Sequence, residues 1–88
     1  MQTDQRLTVD SSATYKLRVQ GYLDESWSEY MGGAAIRAQS WPHKPQVTEV
    51  TGEFRDQAAL AGALGLLYDL GLPLLSVECV AIRPSNRP

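Results

Sequence analysis

The feature that most constrains the fold is a single amphipathic helix pattern at residues 56–70, with alternating segments before and after it. Three leucines recur at i, i+4 and i+7, which places them on one helical face: Leu60, Leu64 and Leu67. Asp56 is a good N-cap, and Gly71 suits the left-handed position that follows a helix. With only one such helix, the rest of the core must come from strands.

Four segments have the composition or alternation of strands: residues 14–23, 33–39, 46–55 and 74–82. The first alternates most cleanly, with Tyr15, Leu17 and Val19 on one side of the strand. In the last segment, Leu75, Val77, Cys79 and Ala81 are expected to face inward. Between the first two segments, Ser26-Trp27-Ser28-Glu29 fits a capping box, which favours a short helical turn capped by Ser26. A wide hairpin connection is the alternative.

This order predicts an α+β fold, a four-stranded, mainly antiparallel sheet with one packed helix (β-β-β-α-β). A single domain is expected at residues 14–82, with flexible tails at 1–13 and 83–88. A right-handed crossover through the helix would make the last strand parallel to segment 46–55. Gly62 and Gly65 each cost about 1 kcal/mol against alanine in a helix, and close approach of helix to sheet is the expected reason for them.

Size and charge exclude several classes of function. The chain has 88 residues, room for one domain, and a net charge of -2, which makes nucleic-acid binding unlikely. Its one cysteine, Cys79, allows no internal disulfide and favours a cytoplasmic protein. No apolar stretch is suited to span a membrane, so no membrane partner is expected.

A single helix leaves one sheet face uncovered, and the alternation predicts that this face is polar. Its members are Lys16, Arg18, Gln20 and Tyr22 from the first strand, Glu49, Thr51 and Glu53 from the third, and Ser76 and Glu78 from the fourth. One interpretation is a solvated face with compensating charges. The other is a dimer seam or ligand floor, because a domain this small gains buried area by self-association. Trp27, Tyr30 and Trp41, in or near loops, favour an interface.

The residues that could carry chemistry each have an ordinary explanation. His43 lies between two prolines in a loop, and no partner or pocket is evident for a general base. Glu49 and Glu53 are about 13 Å apart along a strand, too far for a glycosidase pair. One histidine and one cysteine make a metal site unexpected, and no cofactor motif is present.

Two stretches carry a resemblance. Gly52-Glu53-Phe54-Arg55-Asp56-Gln57-Ala58-Ala59-Leu60 is followed by Asp69-Leu70-Gly71-Leu72-Pro73-Leu74-Leu75-Ser76-Val77. Val19-Gln20-Gly21-Tyr22-Leu23 and the downstream Trp27 add to the pattern. Together they resemble a family of small uncharacterised bacterial proteins with a G-x-x-x-D-Q-A-A-L helix start and an L-G-L-x-L-L-S-V segment. The resemblance covers residues 15–80 and implies a bacterial single-domain protein, without implying any catalytic residue.

We therefore expect a small cytosolic binding or regulatory module, homodimeric, with a protein or small-molecule partner. The alternative is a motif-less enzyme of the dimeric α/β-barrel or cyclase kind, acting on an apolar small molecule. The candidate ligand or interface residues are Trp27, Tyr30, Trp41, Tyr22, Glu29, His43 and Glu49. Of these, Tyr22, Glu29, His43 and Glu49 would supply the polar groups of an enzyme.

Overall fold

The computed structural model describes residues 6–83, and they fold in the predicted order of elements. The strands are β1 (Ala13–Gln20), β2 (Ala35–Gln39), β3 (Val47–Phe54) and β4 (Leu74–Ile82). The helices are a 3-10 helix (Glu25–Met31) and α1 (Gln57–Asp69). The predicted α+β class, with a four-stranded sheet and one packed α-helix, is confirmed for these residues.

The strands form one sheet in the order β2-β3-β1-β4, and each neighbouring pair is antiparallel. Both β3 and β4 run antiparallel to β1, so they are parallel to each other, as predicted, but β1 lies between them. The loop through α1 therefore crosses over β1, and the two edges of the sheet are β2 and β4.

The core lies on one face of the sheet, where every second residue of β1 is buried: Ala13, Tyr15, Leu17 and Val19. Val50 and Phe54 of β3 lie on the same face, paired with Leu17 and Ala13. From α1, Leu60, Ala63 and Leu67 are buried against them, and Leu64 is half-buried. The leucine stripe thus identified the correct face of the helix.

The two ends of α1 follow the sequence prediction. The Asp56 side chain accepts a hydrogen bond from the Ala59 backbone N–H at 2.8 Å, which satisfies one free donor of the first turn. Gly71 follows the C-cap Leu70 with φ 76, the left-handed geometry that glycine adopts without strain.

The prediction for Gly62 and Gly65 is wrong. Both are exposed, and a Cβ on either would meet nothing within 4 Å. The close approach lies instead at Gly52, where a Cβ would come within 2.7 Å of the Ala34 Cβ. The segment leading into β2 can lie over β3 only because residue 52 has no side chain.

Two element boundaries differ from the prediction by two residues or more. β1 ends at Gln20 because Gly21 has φ 108, which turns the chain out of the strand. Tyr22 and Leu23 therefore lie beyond the strand, although Leu23 is buried. β2 begins at Ala35, because Gly33 has φ 81 and still belongs to the turn.

The capping-box prediction identified the turn but not its cap. The 3-10 helix is capped by Asp24, whose side chain accepts from the Ser26 backbone N–H at 3.1 Å. The Ser26 hydroxyl donates to the same carboxylate, so Ser26 supports the cap rather than forming it. The helical alternative is therefore correct, and the plain hairpin is not.

Strand β4 has the predicted bounds, but its environment is different. Cys79 was expected to be buried, and it is exposed. It lies beside Tyr15 on the helix side of the sheet, yet no helix covers it. The pairing of β4 with β1 has two irregularities, which leave Leu75 and Val80 without partners in β1. They also place Ala81 opposite Thr14. The β4 residues that were predicted to face inward therefore do not all lie on one face of the sheet.

The geometry of the layers explains this exposure. A helix is about 10 Å across, and strands are about 4.8 Å apart, so α1 covers about two strands. It lies over the inner strands, and the 3-10 helix packs beside β2. Nothing in the described part of the chain remains to cover β4.

The predicted tails, residues 1–13 and 83–88, lie only partly within the described residues. Residues 1–5 and 84–88 lie outside them. Val9 accepts a hydrogen bond from the Gln57 backbone N–H at 2.9 Å, and Ser12 donates to the Arg55 carbonyl at 3.2 Å. The approach to β1 therefore contacts the start of α1.

Candidate functional site

An open groove of about 490 Å³ lies between the end of the 3-10 helix, the end of β3 and the first half of α1. We call it the Tyr30 groove. Its lining is Tyr30, Met31, Gly32, Glu53, Phe54, Arg55, Ala59, Gly62 and Ala63. Its volume lies within the range of small-molecule sites, and most of the lining is apolar.

The floor of the groove belongs to the core. Met31 and Phe54 are both buried, and the Phe54 ring lies 6.1 Å from that of Tyr15 beneath it. Ala63 is buried on the facing side of α1. A floor fixed by core packing is preformed, so a ligand would not have to order it.

One wall carries the aromatic ring of Tyr30, which a second ring supports from behind. Tyr30 is 71% exposed, and its ring centroid lies 5.3 Å from that of Trp27 with a 51° interplanar angle. Trp27 is half-buried and packs against the core, so it holds the Tyr30 ring in place. An exposed aromatic ring supported from behind is typical of a binding surface.

The opposite wall is the helix, and small residues keep it open. Ala59, Gly62 and Ala63 face the groove, and the space beside Gly62 is empty. A larger side chain at position 62 would project into the groove without a clash. The sequence contained this signal, a costly glycine on a helix, but its interpretation as helix–sheet contact was wrong.

Two charged residues, Glu53 and Arg55, contribute to the lining, and the pairing of Glu53 with Thr14 directs the Glu53 side chain to the uncovered sheet face. Glu53 accepts from Arg83 Nη1 at 2.6 Å, so its charge is already paired. The Arg55 side chain is 87% exposed and approaches Asp56 only at 3.9 Å. The guanidinium of Arg55 is therefore the rim charge most available to a ligand.

The structure brings together two of the three residues that were expected near an interface, Trp27, Tyr30 and Trp41. Trp27 and Tyr30 contact each other in a tilted arrangement beside the groove, whereas Trp41 follows β2 at the opposite end of the sheet. Gln39, at the end of β2, pairs with Val47, which is seven residues along β3 from Phe54 in the groove. At about 3.3 Å per residue, the two ends of β3 are about 23 Å apart. Trp41, 46% exposed, thus belongs to a different surface.

None of the polar candidates lines the groove. Glu49 is on the uncovered sheet face, where Arg18 contacts it through two nitrogens at 3.1 Å. His43 is exposed in the β2–β3 loop with φ 63, and Glu29 is exposed on the 3-10 helix. Tyr22 is exposed and donates to Asp24 at 3.2 Å. These four do not form a catalytic constellation.

Three groups have shifted pKa values with local causes. The Ser26 hydroxyl and backbone N–H, with the Tyr22 hydroxyl, lower the pKa of Asp24 below its usual range. The same Asp24 raises the pKa of Tyr22. Burial, with the nearby Cys79 thiol, raises the pKa of Tyr15, while a hydrogen bond from Gln57 opposes the shift. None of the three lines the groove.

Sequence reasoning missed one polar residue that positions the chain near this site. Thr48 is fully buried, its hydroxyl donates to the Gly21 carbonyl at 2.7 Å, and it accepts from the Leu23 backbone N–H at 3.2 Å. These bonds fix the turn that leads into the 3-10 helix and hence to Tyr30. A threonine in a strand gives no sequence signal that separates this role from ordinary strand preference.

The uncovered sheet face is polar, as predicted, and opposite charges lie next to each other across its strands. Arg37 lies opposite Glu49 and Lys16 opposite Glu78 in the strand register. With the Arg18–Glu49 contact, basic and acidic residues alternate across the strands. This arrangement favours the interpretation of a solvated face.

Among residues 6–83, no group of three or more histidine, cysteine, aspartate or glutamate side chains could hold a metal ion. Within the same residues, no helix is both long and apolar enough to cross a membrane.

Residues 14–78 match the family model described as a domain of unknown function, DUF8691, and the chain belongs to this family. The expectation of an uncharacterised family is thereby confirmed, whereas the bacterial origin and the specific motifs stay predictions. No curated protein and no solved structure matches the chain.

Proposed function

We propose that this chain is a small binding module whose Tyr30 groove holds a ligand with an aromatic or other apolar body and one negatively charged group. The observation that carries the proposal is the groove itself, about 490 Å³ with a preformed apolar floor and an exposed aromatic wall. Apolar surface in a concave site supplies affinity, and a few polar groups supply orientation.

The charge preference follows from the rim. Glu53 is neutralised by Arg83 at 2.6 Å, while Arg55 stays exposed beside the groove. An anionic group on the ligand would meet the guanidinium and would not have to break an existing close ion pair. Arginine suits this role because its planar fork can donate two parallel hydrogen bonds to a carboxylate.

Binding is preferred to catalysis because the groove offers few reactive groups. Its titratable residues are Tyr30, Glu53 and Arg55, and Glu53 is paired. The polar candidates of the enzyme alternative lie elsewhere. The module is further proposed to be homodimeric and to act in a bacterial cytoplasm, where an exposed thiol such as Cys79 stays reduced.

The test uses the probe 1-anilinonaphthalene-8-sulfonate, which has an apolar aromatic body and one anionic group. In a Trp41→Phe background, Trp27 is the remaining tryptophan, and its emission reports on the ring that contacts Tyr30 beside the groove. We expect saturable binding of the probe with quenching of Trp27. Arg55→Gln should weaken binding about tenfold, as for loss of one charge-assisted contact.

A matched pair of variants locates the site. Gly62→Leu fills the groove, whereas Gly65→Leu adds the same side chain to an exposed position of the same helix outside the groove. We expect the first variant to abolish Trp27 quenching and the second to leave it unchanged. Equal quenching in both variants would show that the probe binds elsewhere and would refute the proposal.

A further inference from the structure

The two edges of the sheet are built differently. Edge strands expose unpaired backbone groups, and natural proteins protect them by shortness, charge or proline. β2 is protected by its shortness, since it has five residues, one of which is the charged Arg37. β4 has nine residues and, like β2, a single charge, Glu78, and Pro73 directly precedes it.

The side chains of β4 are also uncovered. Apolar residues are exposed along its whole length: Leu74 48%, Leu75 51%, Val77 42% and Val80 52%. Cys79 is exposed as well. A long apolar edge of this kind is a template for pairing with another strand.

We infer that β4 pairs antiparallel with β4 of a second copy, so that two sheets join into one eight-stranded sheet. A two-fold axis perpendicular to the sheet makes the contact self-complementary and puts both α1 helices on the same side. The inference names the partner in the proposed homodimer and moves the seam from the polar face to the edge. It does not depend on the Tyr30 groove.

The occupant is a second copy because the chain itself offers a matching strand. β4 has a free backbone edge of the right length, and its apolar residues would be covered by the same residues of the partner. The polar face lacks this property, since its charges are already matched within one chain. Self-pairing also gives a small one-helix domain the buried area it lacks.

Charge and pleat restrict the register. Val77 and Glu78 lie on opposite faces of the sheet, because they pair with Leu17 and Lys16. A register placing Val77 opposite Glu78 would join unlike faces and is excluded. Centring the axis on Glu78 would oppose two like charges. Centring the two-fold axis on Val77 puts Val77 of the two copies opposite each other and Ser76 opposite Glu78. We assign this register.

The mass of the full chain in solution tests the seam. Light scattering on a sizing column should give twice the mass of one chain, and Val77→Lys should give the monomer, with a dissociation constant raised at least about tenfold. Ala38→Lys is the matched control, since Ala38 is exposed on the same sheet side at the other edge. It should stay dimeric, and circular dichroism should show both variants folded.

Cysteine crosslinking tests the register with smaller changes. Directly opposed residues of antiparallel strands have Cα atoms about 4.5–5.5 Å apart, within the range that a disulfide spans. Three chains are compared. The first is the double variant Val77→Cys/Cys79→Ser, the second is the double variant Glu78→Cys/Cys79→Ser, and the third is the natural chain with its single Cys79. Mild oxidation should crosslink the first fastest.

Faster crosslinking at 78 or 79 would overturn the assigned register. A natural chain that is monomeric, or a Val77→Lys variant that stays dimeric, would overturn the β4 seam. Neither result would alter probe binding in the Tyr30 groove, so failure of this inference is distinguishable from failure of the proposed binding site.

Discussion

Thr48→Val is a sharp test of how the chain reaches the binding surface. The substitution keeps the size and branching of the side chain but removes its hydroxyl. The Leu23 N–H and the Gly21 carbonyl then lose their bonds, of 3.2 and 2.7 Å. Leu23 is buried, so no water replaces its partner, and an unsatisfied buried group costs about 1–3 kcal/mol. With a smaller cost added for the Gly21 carbonyl, we expect the free energy of unfolding to fall by about 2–4 kcal/mol.

Thr48→Ser provides the comparison, since it keeps the hydroxyl and removes one buried methyl group. Its expected cost is about 1 kcal/mol, from lost apolar burial and a small cavity. Urea unfolding measures both free energies, with unchanged slopes as evidence that the unfolded states are comparable. Hydrogen exchange should show faster exchange of the Leu23 amide only in Thr48→Val. If Thr48→Val costs no more than Thr48→Ser, the two hydrogen bonds do not hold this turn.

Three further predictions follow from local geometry. Gly52→Ala should lower the free energy of unfolding by about 1–3 kcal/mol through overpacking against Ala34, and adding Ala34→Gly should recover part of the loss; thermal melts that show no recovery would contradict the contact. Asp56→Ala should cost about 1 kcal/mol in chemical denaturation by removing the α1 cap, with Asp56→Asn close to neutral. Because the pKa of Asp24 is lowered in the fold, its stabilisation is present above its unfolded value of 3.8 and is lost as the pH falls through its folded pKa. The stability difference between the natural chain and Asp24→Ala should therefore shrink below pH 3.8, and a difference independent of pH would contradict the assignment.

The candidate site was only partly predictable. Trp27 and Tyr30 were identified, because aromatics near loops are unusual in so small a domain. Trp41 satisfied the same criterion but lies at the other end of the sheet. Gly62 was noticed as costly, yet the sequence does not show whether a missing side chain faces a strand or open space. Only the packed elements answer that question.

What the sequence determined by itself was the order and type of the elements. Strand alternation and helix periodicity depend on neighbours a few residues apart, so the leucine stripe, the Asp56 cap and the Gly71 stop could be recognised directly. The strand directions also followed, because a helical crossover between β3 and β4 favours a parallel arrangement.

Only the tertiary structure decided which surfaces are covered. The apolar composition of β4 is typical of an interior strand, but β1 takes the central position and leaves β4 at the edge. Strand order depends on contacts far apart in sequence, and one helix about 10 Å wide cannot cover four strands about 4.8 Å apart. The exposure of β4 and the opening of the Tyr30 groove both follow from this shortage of covering layer.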